Sequence, residues 1–477
     1  MKALMLPFLV VAALAGCGSD DGSQPERLRQ ISSNAQSAYI YGYPLLVMEY
    51  TRQVSTAVEA PDGSRAPMNQ LAHIRTFPTP EFKDVVSPNV DTLYSIAWLD
   101  LEREPYVLSV PDAAGFAPAG SADPRYYLLQ MLDGWTNVFD SPGLRTRGPG
   151  ARTYLLTGPS WQGNAPTGME RISSPTQLVW MTGRTQALDA ADLPIVHTFQ
   201  DAIRLVPLSR WDQPETPPAP VPIDKDIDLS TPPMAQVEAL SADAFFSQLA
   251  VLMRTNPPAS DDGPMLQALA TLGLTPGQPY ELAAQPAEVA GAIRLGYQAG
   301  QARLRAMASQ SADPVNGWTV MTTGIGEYGS DYDTRAVVAR VGLGANLPED
   351  AVYPRTAIDG TGRPLSNAHR YTLSFPPGQL PPANAFWSLT MYDDDQALVA
   401  NPIERYAIGD RSPLVFEPDG SLILRIQKDA PAGASAANWL PTPQDGTQDF
   451  NLILRIYWPQ AAMLDGSWRT LPVVRVE

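Results

Sequence analysis

The chain has 477 residues, 44% of them hydrophobic and 17% charged, with a formal net charge of −17. This is a globular composition on a chain longer than one core usually serves, so two or more domains are expected. The acidic balance leaves no basic footprint for a nucleic-acid partner, and 48 prolines argue for turns, edge strands and extended connections over a mostly helical protein.

The N-terminus, MKALMLPFLVVAALAGC, carries one early cation at Lys2, an apolar run from Ala3 to Ala15, and then Leu14-Ala15-Gly16-Cys17. The run is too short to span a bilayer as a mature helix, and its small residues fit a secretory signal. It resembles a bacterial lipoprotein signal, which implies that residues 1–16 are removed and Cys17 is lipidated. The resemblance also implies that Gly18 at the next position directs the protein onward to an outer membrane or cell surface. The competing reading is an ordinary cleaved signal in which the cysteine has no role. Cys17 is the only cysteine, so the mature body has neither a disulfide nor a catalytic thiol. Residues 17–34 read as a flexible polar tether.

From Ile31 to Thr56 the spacing of Ala38, Tyr41, Leu45, Met48 and Arg52 predicts a helix, kinked at Pro44. Val85 to Trp211 reads as short strands bounded by Gly and Pro, and Tyr126–Leu132 is apolar on both faces, as in a doubly buried strand. The proline-rich segment 212–233 is a connector, and 234–345 is a helical middle. From 346 to 477 the chain returns to strands with sharp alternation. AFWSLTMY sets Trp387, Leu389 and Met391 against Ser388, Thr390 and Tyr392, and FNLILRIYWP sets Phe450, Leu452, Leu454 and Ile456 against Asn451, Ile453, Arg455 and Tyr457. One face of each strand should pack a core while the other carries polar and aromatic groups. The expected fold is mainly β with a helical middle (α+β). It would hold two antiparallel sandwich- or jelly-roll-like domains, the first (35–211) with a leading helix.

YGYP at 41–44, SPNVDTLYS at 87–95, RYYLLQMLDGWTNVF at 125–139 and GRT at 183–185 resemble the bacterial domain of unknown function 1254. FWSLTMYD, NPIERYAIGDR at 401–411, PDGSL, NWLP at 438–441 and LRIYWP resemble its usual partner, domain of unknown function 1214. The resemblance spans about residues 35 to 477. It implies two β-sandwich-like domains around a helical segment and names no reaction.

The candidate site residues lie at strand mouths. Asn89, Asp91 and Tyr94 follow the Ser87-Pro88 turn; they either cap that turn through their side chains or line a site, with Asp91 as base or orienter, Tyr94 as proton donor and Asn89 positioning the ligand. Asp133, Trp135 and Asn137 alternate, so on one strand face they would offer an acid, an aromatic platform and an amide to a polar ligand. Alternatively, Asp133 is a buried structural acid paired with Arg125 or Arg184. Tyr392, Asn401, Arg405 and Tyr406 cluster after a C-terminal strand; Arg405 suits a carboxylate or phosphate but equally suits locking its loop to a neighbour. Trp387 belongs to the core.

The three histidines, His73, His197 and His369, have no paired spacing for zinc. The acidic loops at 329–335 and 392–396 lack calcium-loop spacing and read as solvated turns. No G-x-S-x-G elbow and no phosphate-cradling glycine motif occurs. Neither a metal nor a cofactor is therefore expected. The leading expectation is an exported, lipid-anchored protein acting hydrolytically on a small organic or glycan-like ligand in a cleft between two β domains. The alternatives are a non-catalytic ligand-binding envelope lipoprotein and a purely structural one. Whether the chain forms a homo-oligomer is open.

Overall fold

The computed structural model describes residues 23–82, 86–214, 218–310 and 313–476. Cys17 and the signal lie outside them. Helices and sheets segregate along the chain, giving an α+β fold.

The first described element is a helix, Ser23–Thr56, which carries Pro44 without ending there. It starts inside the stretch expected to be a flexible tether, and packing explains why. Ile31 and Ala35 are buried, and Gln24 donates to Glu288 at 2.9 Å. The helix lies against another, Ala287–Ala308, so closely that a Cβ on Gly296 would stand 2.1 Å from the Ser32 carbonyl oxygen. Composition alone hides this, because the polar residues face water while every third or fourth position is buried. The leading helix belongs with the helical middle. Its Tyr39, Tyr41, Tyr43 and Leu46 share one core with Phe245 and Phe246 of helix Ala242–Leu252 and with Ile293 and Tyr297. Among the described residues no helix is long and apolar enough to cross a membrane.

Four sheets make up the rest. The first runs in the order 72–73, 92–100, 178–186, 127–133, 138–140, and the second in the order 170–173, 152–157, 106–110, 204–207. The third runs 351–352, 451–459, 383–392, 407–409, and the fourth 439–441, 422–427, 370–375, 473–476. The pairings are antiparallel except for 152–157 with 170–173 and 422–427 with 439–441, which are parallel. The expectation of purely antiparallel domains is corrected at these two edges. A short helix, Leu193–Asp201, also interrupts the region read as strands throughout.

Each β region has an apolar core between its sheets. Ala97, Leu129 and Met181 of the first sheet meet Leu108, Tyr154 and Ile172 of the second. Trp387, Leu389, Leu452 and Ile456 of the third meet Leu373, Leu424 and Val473 of the fourth. The first and third sheets then approach each other through their remaining faces, where Tyr126 and Leu128 reach Phe386 and Tyr457. Strand 127–133 is buried at every position because it is covered on both sides.

His73, on the edge of the first sheet opposite Ser95, has Nδ1 2.9 Å from the Ser95 hydroxyl. Burial and then Arg75 push its imidazole down to about 4, against the opposing pull of Asp201. The unfolded chain, with an ordinary histidine near 6.5, takes up the proton first as pH falls. Stability is therefore untouched above about pH 6.5 and declines between about 6.5 and about 4. Allowing for partial exposure, His73→Gln should remove about 2 kcal/mol of that acid loss. Urea denaturation from pH 7 to pH 4 checks this, and parallel curves for variant and parent would refute it.

Candidate functional site: a polar layer between facing sheets

A β layer buried between two sheets is normally apolar. Here the facing sides of the first and third sheets carry Tyr94 and Arg184 on one and Ser388, Thr390, Arg455 and Tyr457 on the other. Register enforces this. Tyr94 sits opposite Arg184 on the neighbouring strand, while Ser388 pairs with Arg455 and Phe386 with Tyr457.

The loop at 86–91 enters the layer from the first sheet and is fastened by the C-terminal region. The Ser87 carbonyl accepts from Arg455 Nη2 at 2.9 Å and the Pro88 carbonyl from the Tyr392 hydroxyl at 2.8 Å. Asn89 closes its own turn, as the capping reading expects, and also reaches across the layer. Its Oδ1 accepts from the Asp91 amide at 2.6 Å, closing its own turn, while its Nδ2 donates to the Thr92 hydroxyl at 2.7 Å and across the layer to the Tyr457 hydroxyl at 2.9 Å. The Tyr94 hydroxyl lies 3.4 Å from the same Nδ2.

Asp91 is buried, with both carboxylate oxygens engaged. Ser388 Oγ donates to Oδ2 at 2.5 Å, and Arg411 Nη2 donates to Oδ1. The Arg411 guanidinium also lies 4.2 Å from the Phe386 ring centroid. A carboxylate so committed orients its neighbours; it does not have a free oxygen for a substrate proton. Asp91, Ser388 and Arg411 form part of the wall of a groove of about 750 Å³ between the two β regions, lined also by the 77–81, 188–190 and 400–409 segments.

The four phenols of the layer titrate apart. Burial raises all of them, and it prevails for Tyr353, pushed up to about 12, and for Tyr392 and Tyr457. For Tyr94 the Arg184 guanidinium and the Asn89 amide outweigh burial and bring the phenol below its ordinary value. Arg184 lies beside it, its Cζ 5.0 Å from the Tyr94 ring centroid.

The other expected residues fall elsewhere. Tyr392 is buried in the layer. Asn401, Arg405 and Tyr406 line the groove, but Asn401 spans its own loop, donating to the Val399 and Arg405 carbonyls at 3.1 and 3.0 Å. Arg405 Nη1 reaches the carbonyls of Ala436, Ala437 and Trp439, the last at 2.9 Å, so the loop-locking reading holds for it.

Asp133 does not join Asp91. It ends the strand and caps a turn, accepting from the Trp135 and Asn137 amides at 2.8 and 2.9 Å and from Asn137 Nδ2 at 3.0 Å. Thr136 takes a positive φ of 71°, so the strand alternation that would align Asp133, Trp135 and Asn137 on one face is lost. Trp135 enters the helical core instead. Nor is Asp133 paired with Arg125 or Arg184; the cation bearing on it is Arg335, which stands among the rings of Tyr41, Trp135 and Tyr332.

Sequence reasoning placed Ser388, Thr390, Arg455 and Tyr457 on a polar strand face without naming them as site residues, and it missed Arg411 and Tyr353. The available signal was that polar face, whose partner is a second polar face more than 200 residues earlier in the chain.

No curated protein matches this chain. Among solved structures, the VPA0106 protein from Vibrio parahaemolyticus is similar with a TM-score of 0.70 at 22% identity, covering 94% of this chain and 100% of that one. That likeness concerns the fold alone. A putative uncharacterized protein from Burkholderia cenocepacia follows with a TM-score of 0.43 and 12% identity, each chain covered to 96%. Residues 68–207 match the family described as protein of unknown function DUF1254 and residues 350–461 match protein of unknown function DUF1214, so the chain carries the two matches in that order and the polar layer forms where the matched segments meet.

Proposed function

We propose that the protein binds a small polar organic ligand where its two β regions meet, entering by the groove, whose wall takes Asp91 and Ser388 from the polar layer. The observation that carries this reading is the layer itself. Two sheets that could have met through leucine and valine meet through guanidinium, phenol and amide groups, which costs desolvation and is common where a site is built. The shared apolar clusters within each β region support reading both as sandwiches, which would give the site two rigid walls.

A hydrolytic role is the second reading, favoured by Tyr94. Four phenols share one layer and one of them is moved the opposite way, the pattern expected of an acid–base group among structural ones. In that reading Tyr94 donates the proton and Asp91 orients Arg411 and Ser388. The lipoprotein-like N-terminus supports export and attachment through Cys17, so the ligand would be met at the envelope.

The test is a structure of full-length protein purified from its native membrane, together with turnover assays on small esters and glycosides. A molecule seated in the groove supports binding. Turnover that falls at least tenfold in Tyr94→Phe at unchanged melting temperature supports hydrolysis. A groove holding only solvent, with no turnover, would remove both readings. Cys17→Ser should move the protein from the membrane fraction to the soluble one.

A further inference from the structure

We infer that the ligand of the inter-sheet layer is a small oxyanion, a carboxylate or a phosphate group, and that Arg184 is its anchor. The inference rests on reading the layer as a ligand site and names the class of ligand.

Arg184 is 9% exposed, and its Nε and Nη1 find no hydrogen-bond acceptor. Among the described residues no acid forms an ion pair with it or with Arg455. Arg455 at least spends its donors, on the Thr390 hydroxyl and the Ser87 carbonyl, each at 2.9 Å. The one carboxylate in the layer, Asp91, is already committed to Arg411 and Ser388. Arg411 has a second acid beside it, Asp410 at 3.7 Å, so the guanidinium groups left without an acid of their own are Arg184 and Arg455.

This surplus is local. The chain as a whole carries −17, so excess positive charge inside it is not a by-product of composition. A buried cation without a counter-ion is among the more costly arrangements in a protein. Tyr94 beside Arg184 offsets part of the cost through its ring face and a hydrogen bond to the guanidinium, but Nε and Nη1 stay unmatched. A planar oxyanion would match them, and Arg is the side chain that meets one with two parallel bonds.

The surroundings suit such a guest. Tyr94, Tyr353 and Asn89 keep some accessible surface although they lie between two sheets. The Tyr457 hydroxyl accepts from Asn89 Nδ2 and so retains its own proton for an acceptor. The layer is rich in donors and poor in acceptors, which selects for an anion over a neutral sugar.

The experiment compares wild type, Arg184→Gln and Arg184→Lys as full-length purified proteins. Melting temperature is followed against sodium acetate, succinate, inorganic phosphate and methyl phosphate at matched ionic strength, with glucose as the neutral control. At least one oxyanion should raise the wild-type melting temperature saturably, which separates binding from the general effect of excluded salts. The apparent affinity should fall at least tenfold in Arg184→Gln and less in Arg184→Lys. Carboxylate and phosphate arms show which source is preferred. Without anion, Arg184→Gln should melt no lower than wild type, since it removes an uncompensated charge. An oxyanion response unchanged in Arg184→Gln, or no oxyanion response in wild type, overturns the inference. If glucose alone shifts the wild type, the ligand site stands and its anionic character falls.

Discussion

Asp192→Ala is expected to destabilise the protein by about 3–5 kcal/mol, more than almost any single surface change. Asp192 and Arg125 form a two-pronged ion pair, Nη1 to Oδ2 at 2.8 Å and Nη2 to Oδ1 at 2.7 Å, with side chains 3% and 0% exposed. The remaining Arg125 donors reach the carbonyls of Phe116 and Gln186, both at 2.7 Å, and the Leu188 amide donates to Asp192 at 3.0 Å. Five chain segments thus converge on one charge pair: the short 3₁₀ turn at 113–116, the entry to strand 127–133, the exit from strand 178–186, the loop that follows it, and the start of helix 193–201. Removing the carboxylate leaves a guanidinium that cannot reach water. The size of the loss is dominated by that stranded charge, so Arg125→Met with Asp192→Leu together should cost less than Asp192→Ala alone. Urea denaturation followed by far-ultraviolet circular dichroism measures both, and a loss below about 1 kcal/mol for Asp192→Ala would show the pair to be no stronger than a surface one.

The same pair shows what the sequence concealed. Arg125 stands two residues before an apolar strand, and its nearest acid along that strand is Asp133, so pairing those two is reasonable from a linear reading. The actual partner is 67 positions away, brought close by the antiparallel pairing of strands 127–133 and 178–186. Local signals transferred well. The alternation in 383–392 and 451–459 put Trp387, Leu389, Leu452 and Ile456 inward, and all four are in the C-terminal core. The apolar run at 126–132 is doubly covered. Two kinds of information did not transfer. One is a change of backbone direction inside a run, as at Thr136, where a strand period was carried one turn too far and invented a surface shared by Asp133, Trp135 and Asn137. The other is the meeting of two polar faces. Each is legible as a polar face, and each has water as its default partner, so nothing in either stretch tells that they face one another. Tyr94 and Asn89 stand out in the sequence because turn chemistry and strand chemistry coincide there, while Arg184 carries no such local mark.

The second large effect concerns the seam. Asp91→Ala should cost about 3–5 kcal/mol, and the loss should be uneven across the molecule. Asp91 enters from the N-terminal β region, and its carboxylate holds Arg411 and Ser388, which belong to the C-terminal one. Arg411 Nη1 also donates to the Ala187 carbonyl at 3.2 Å and lies 3.4 Å from the Asp91 carbonyl, so this one guanidinium ties two neighbouring segments at one end of the first sheet to the third. Its side chain is 17% exposed and that of Asp91 is 2%. Taking Asp91 away therefore leaves a cation that can turn partly toward the groove, whereas Arg411→Met leaves a carboxylate with only the Ser388 hydroxyl. The arginine substitution is expected to be the more damaging, and Asp91→Asn, which keeps the shape and one acceptor, the mildest. Because the pair crosses the seam, its loss should weaken the coupling between β regions more than either core. Unfolding of Asp91→Ala should then lose coincidence between probes, with tryptophan fluorescence and circular dichroism transitions separating in urea. Coincident transitions together with a loss under about 1 kcal/mol would mean that the seam is held by Tyr126, Phe386 and Tyr457 and that the charge pair adds little, as exposed ion pairs do.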